Sequence, residues 1–99
     1  MTAGDLVTAH GYYAAALIIA TRIADGDPAN PLWQRDLAAN HAKLGDLAVA
    51  GGDLPAARAA YQTATDIATR LAKADPANST WQELARHVQG QLAGVLSSS

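Results

Sequence analysis

The sequence repeats itself, and the repeat restricts the possible folds more than any other feature. Thr21-Arg22-Ile23-Ala24-Asp25-Gly26-Asp27-Pro28-Ala29-Asn30-Pro31-Leu32-Trp33-Gln34 returns as Thr69-Arg70-Leu71-Ala72-Lys73-Ala74-Asp75-Pro76-Ala77-Asn78-Ser79-Thr80-Trp81-Gln82, 48 positions later. The same displacement lays Gly4-Asp5-Leu6 on Gly52-Asp53-Leu54, Ala9 on Ala57, Tyr13 on Tyr61, Ala16 on Ala64 and Leu44 on Leu92. A match that keeps Trp, Tyr, Pro and Asn in register implies two copies of one supersecondary unit. A unit of this kind buries its apolar face by stacking on a neighbour.

The punctuation divides each unit into two helices. Asp27-Pro28-Ala29-Asn30 and Asp75-Pro76-Ala77-Asn78 interrupt the chain, since Pro cannot continue a helix and drives the residue before it out of helical geometry. Asn30 followed by Pro31 is a helix start: Asn caps, and Pro at the first position gives up an N–H that has no partner anyway. Gly51-Gly52-Asp53 predicts a tight turn with Asp53 as the next cap, and Gly4-Asp5 predicts the same near the N-terminus. The expected fold class is all-α: four helices at about 5–25, 31–50, 53–74 and 79–96 in a single domain over 1–99, with Ser97–Ser99 as a frayed tail. Leu54, Ala57, Tyr61, Ala64, Ala68 and Leu71 alternate spacings of three and four, the signature of one buried stripe.

With 99 residues, 49% of them hydrophobic, the chain can bury a core, but one without Phe and with Ala at about a quarter of all positions. Such a core requires helices in close contact. The net charge of −2, with signs interspersed, supplies neither the basic footprint of a nucleic-acid binder nor a polybasic membrane patch. The lack of Cys removes disulfides, thiolate catalysis and the common zinc sites. A cytoplasmic location is expected, with no nucleic-acid and no membrane partner. The run Ala14–Ala20 looks like a signal-peptide core, but no basic segment precedes it, and the run is too short to span a bilayer.

Leu44-Gly45, Gly52-Asp53, Ala57, Tyr61 and Ala64 stand at the spacing of a known family. The chain resembles the tetratricopeptide repeats, most closely from Leu44 to Ala64, in a long-period variant similar to bacterial arrays. That family's typical period is 34 residues, whereas this one is 48, with Trp33 and Trp81 in an added turn. The resemblance implies a right-handed array of antiparallel helix hairpins with one complete repeat, about 31–74, flanked by half repeats. It also implies a protein-binding or scaffold role. The chain opens on a second-type helix and closes on a first-type helix, so both end helices lack a usual neighbour. An initiating Met suggests a whole gene product, and this phase suggests a fragment of a longer array.

The two copies differ most on helix 1. Val7, Gly11, Ala14 and Ile18 replace Pro55, Ala59, Gln62 and Asp66, and Leu17 replaces Thr65. A helix apolar all round is normally buried. Val7, Gly11, Ala14, Leu17 and Ile18 are therefore the expected self-association face, which makes a homodimer. Two alternatives remain: helix 4 folds back over helix 1 and closes a four-helix bundle, in which a small-molecule pocket is a remote possibility, or an upstream repeat covers it.

Catalysis and cofactors are not expected. His10, His41 and His87 lie on three different helices, so no two of them share a helical ligand spacing. Ser occurs only at Ser79 and in the tail, where Ser79 reads as a cap. Asp5, Asp27, Asp53 and Asp75 stand singly at helix starts, where they cap or meet the helix dipole. Trp33 and Trp81 occupy the same place in each unit, which points to packing rather than to a ligand platform. The family resemblance implies a peptide groove on the inner face of helices 2 and 4, formed by Ala39, Ala42, Lys43, Asp46, Val49 and Ala50 with His87, Gly90, Gln91 and Gly94. Ala42, Asp46 and Gly90 stand where some relatives carry a Lys, Arg and Asn clamp for a C-terminal carboxylate, so that specificity is not expected.

Overall fold

A computed structural model describes residues 3–98. The described residues form four α-helices and no strand: α1 Ala3–Gly26, α2 Pro31–Ala50, α3 Leu54–Ala74 and α4 Ser79–Ser98.

The two Asp-Pro-Ala-Asn turns carry the same hydrogen bonds. The Asn30 N–H donates to the Asp27 carbonyl and its side-chain amide to the Asp27 carboxylate, both at 3.1 Å. Asn78 repeats the pair on Asp75 at 3.0 and 3.3 Å. The free amide oxygen then caps the next helix, accepting from the Leu32 N–H in α2 and from the Trp81 N–H in α4. The roles expected of two residue types shift accordingly. Asp27 and Asp75 anchor the capping Asn side chains instead of N-capping helices themselves, and Ser79 is the first residue of α4 rather than its cap. Between α2 and α3, Gly52 takes φ +80°, a value that L side chains rarely adopt. The Asp53 N–H closes on the Ala48 carbonyl at 2.8 Å, and the Asp53 carboxylate caps α3 through the Ala56 N–H.

Both ends of the chain run further in helix than the sequence suggests. Gly4 and Asp5 lie inside α1, so no turn forms there and Asp5 sits in the first helical turn. At the other end α4 continues through Ser97 to Ser98, where fraying was expected; Ser99 lies outside the described residues.

Packing follows chain order: α1 on α2, α2 on α3 and α3 on α4. Extensive packing of α4 across α1, which would close a four-helix bundle, is not found among the described residues. The helices form a slab of 40 × 31 × 18 Å, about two helix diameters thick. One core cluster joins α2, α3 and α4. It contains the expected stripe of α3 (Ala57, Tyr61, Ala64, Ala68 and Leu71, with Leu54 packed at its edge) together with Ile67 and Ala72. No residue of α1 belongs to it.

Small residues set the depth of the contact between α2 and α3. A Cβ added to Gly45 would come within 2.6–2.9 Å of the Tyr61 ring. Tyr61 is buried in the space that Gly45 leaves open. Trp81 is likewise buried in the core, whereas Trp33, its counterpart, is half-buried.

Candidate protein-binding surfaces

The face expected to form a groove on α2 and α4 is built around a hydrogen-bonded node. The Asp46 carboxylate accepts from the Tyr61 hydroxyl and, at 2.9 Å, from the Gln91 side-chain amide. Desolvation and the adjacent Asp46 charge hold the Tyr61 phenol well above its ordinary pKa, so it stays protonated and donates. Asp46 and Gln91, predicted as separate groove positions, are thus in direct contact and tie α2 to α4 over α3. The Gln91 carbonyl oxygen is left buried without a partner.

The other groove residues divide. Ala42 is buried in the core cluster and lines no open surface. The Ala was read as a groove position from family register alone, but the close approach of α3 covers it. Ala39 opens instead onto a shallow cleft toward α1, with Ala16, Ile19, Ala20, Ile23 and Trp33 around it. Lys43, Val49, Ala50, His87, Gly90 and Gly94 are exposed. His10 is also exposed; His41 is half-buried, and desolvation lowers its pKa below 6.5. No group of three or more His, Cys, Asp or Glu side chains that could hold a metal ion occurs among the described residues.

The surface of α1 is the unusual one. Val7 is 73% and Ile18 57% exposed, and Gly11 between them has open space where a Cβ would be. Ala14 and Leu17, predicted on the same face, are half-buried instead; Leu17 shares its side of the helix with Ala24, the one buried residue among those described in α1. The apolar exposure also extends further than the sequence comparison indicated. Ile19 is 59% and Ile23 41% exposed, while their counterparts in α3, Ile67 and Leu71, are 6% and 8%. Ile67 and Leu71 line a cleft with Pro31 and Gln34 of α2 and with Trp81 of α4. Trp33 stands by Ile19 and Ile23 as Trp81 stands by Ile67 and Leu71, but among the described residues no helix packs on α1 in the place that α2 takes beside α3. Sequence reasoning missed Ile19 and Ile23 as exposed residues because their spacing belongs to a buried stripe. The spacing shows which stripe seeks cover and carries no signal of whether a helix covers it.

By length and composition, Gly4–Gly26 is also long and apolar enough to cross a membrane, in contrast to the short run Ala14–Ala20 considered by itself. Its stretch without Asp, Glu, Lys or Arg extends only from Leu6 to Thr21. At 1.5 Å per residue that is about 24 Å, short of the roughly 30 Å of a hydrocarbon core.

Comparison with known proteins returns no match, whether to family models, to curated proteins or to solved structures.

Proposed function

We propose that this chain is a protein-binding scaffold module of the tetratricopeptide type that associates with itself through α1. The observation that carries the reading is the exposure of Val7, Ile18 and Ile19 on one helix of a chain whose other helices share a core. Exposed large apolar side chains gathered on one element are a feature of interaction sites in soluble proteins. The module binds rather than catalyses, needs no cofactor and works in the cytoplasm. The 48-residue sequence repeat and the matching hydrogen bonds of its two Asn-capped turns support a repeat architecture.

The test is solution mass across a concentration series, by light scattering or sedimentation. We expect the unaltered chain to reach twice the mass of the monomer and Ile18→Asp to remain monomeric at every concentration, because pairing would bury its carboxylate unpaired. An unaltered chain that is monomeric throughout refutes self-association.

A second reading rests on the node at Asp46. A peptide laid across α2 and α4 would run over the half-buried Asp46–Gln91 pair and beside exposed Lys43 and His87. Helical repeats often bind partner segments on a surface of this kind.

A further inference from the structure

If α1 binds a second copy, two arrangements compete. In a head-to-tail contact, α4 of one copy would take the place beside α1 that α2 takes beside α3. Contacts of that type do not close on themselves and extend into chains. In an isologous contact α1 meets α1, and association stops at two.

The 48-residue correspondence lets the chain's own interface decide. In α2 the residues committed to the core are Ala38, Ala42 and Gly45. Ala38 is fully buried, and Gly45 leaves the room that the Tyr61 ring fills. The counterparts in α4 are Arg86, Gly90 and Ala93, all exposed. Arg86 would bring a guanidinium into a site that holds a methyl group. Ala93 carries the very Cβ that would overlap the ring of Tyr13, the counterpart of Tyr61. Asp46, which accepts the Tyr61 hydroxyl, corresponds to Gly94, which has no side-chain acceptor. The outer face of α4 cannot reproduce what α2 does, and it closes the stack in the manner of a polar cap.

The outer face of α1 has the opposite character. Exposed Val7, exposed Gly11, half-buried Ala14 and exposed Ile18 read large, small, small, large, with spacings of four, three and four. That order is the same in both directions. About a two-fold axis between residues 12 and 13, Val7 of one copy falls opposite Ile18 of the other, and Gly11 opposite Ala14. Self-complementarity of this form is what an isologous contact requires. The small residues at the centre allow close approach. Asp5, Arg22 and Asp25 lie outside the stretch, so pairing buries no Asp, Glu, Lys or Arg, and the one titratable imidazole within it, exposed His10, lies at the flank of the stripe. We infer that α1 pairs antiparallel with α1 of a second copy, crossing at Gly11 and Ala14, and that Arg86 and Ala93 keep assembly from extending past two.

The inference rests on self-association through α1 and is tested separately from it. The chain has no Cys, so single cysteines report geometry directly. In the antiparallel pair the two copies of residue 11 lie about 4–5 Å apart along the axis, and those of residue 7 about 16 Å. A disulfide needs Cα atoms within about 7 Å. We expect oxidised Gly11→Cys to run as a covalent dimer. Val7→Cys and Ile18→Cys should each remain single chains and should link to one another when mixed. A dimer by mass in which Gly11→Cys does not link, or Val7→Cys links to itself, overturns the arrangement while self-association stands. Mass that grows beyond two with concentration also overturns it, in favour of the head-to-tail contact. A monomer that sediments with phosphatidylcholine vesicles, and loses this in Ile18→Asp, assigns the face to a bilayer and overturns both.

Discussion

The hydrogen left at the α-carbon of Gly45 decides how near α3 comes to α2. Any side chain there meets three atoms of the Tyr61 ring. The ring cannot swing away without giving up its hydrogen bond to Asp46 and its buried position. Gly45→Ala is therefore expected to lower stability by up to about 2 kcal/mol net of helix propensity, from an overpacking cost of about 1–3 kcal/mol. The offset is the roughly 1 kcal/mol that Ala contributes over Gly within a helix. Urea unfolding gives the sign: a higher midpoint for Gly45→Ala would mean that the ring relaxes at no cost. The sequence made this contact legible, because Leu44-Gly45, Ala57 and Tyr61 stand at helix-pair spacing. It did not make the Asp46–Gln91 bond legible. Those residues lie on helices separated by α3 in the chain, and no spacing rule connects them.

Among the elements, α1 differs from the other three in what secures it. Among the described residues it contributes nothing to the core cluster and has one buried residue, whereas α3 has seven. Local opening costs least where buried apolar contact is fewest. In monomeric Ile18→Asp, the amides of α1 are expected to exchange hydrogen ahead of those of α3, on a scale set by local rather than global unfolding. Equal protection of the two helices would show that the contact with α2 alone secures α1. The boundaries of α2 and α3 were legible because strong local signals mark them: Asn30-Pro31 at one start and Gly52-Asp53 at the other. The early start of α1 and the late end of α4 were not. Gly4 resembles the turn at Gly52, but helical geometry runs through it, and among the described residues Gly52 alone takes a positive φ.

For the molecule as a whole, stability is expected to depend on concentration. A partner that binds only the folded chain stabilises it in proportion to the logarithm of its free concentration. The unaltered protein should then show a Tm that rises with concentration, and Ile18→Asp a Tm that does not. A flat Tm for the unaltered chain, at concentrations where its mass is that of two copies, would mean that pairing adds nothing to folding. The general picture of four helices was legible from Pro, Gly and Asn positions. The exposure of Ile19 and Ile23 was not, since the periodic pattern identifies which face seeks cover and not whether a neighbour is present to provide it.

The interior is lined with methyl groups, and this makes it lopsided toward change. Ala38, Ala57, Ala64 and Ala68 are all fully enclosed. A methyl group has no rotamers to lose on burial, so packing it carries almost no side-chain entropy cost. It also has no conformation into which to retreat. Every natural substitution at these four positions except Gly is larger, and the larger ones must displace a helix axis rather than a side chain. Replacement by Gly removes little volume and costs mainly helix propensity, on the order of 1 kcal/mol. The permitted variation at these positions therefore runs in one direction, toward less side chain.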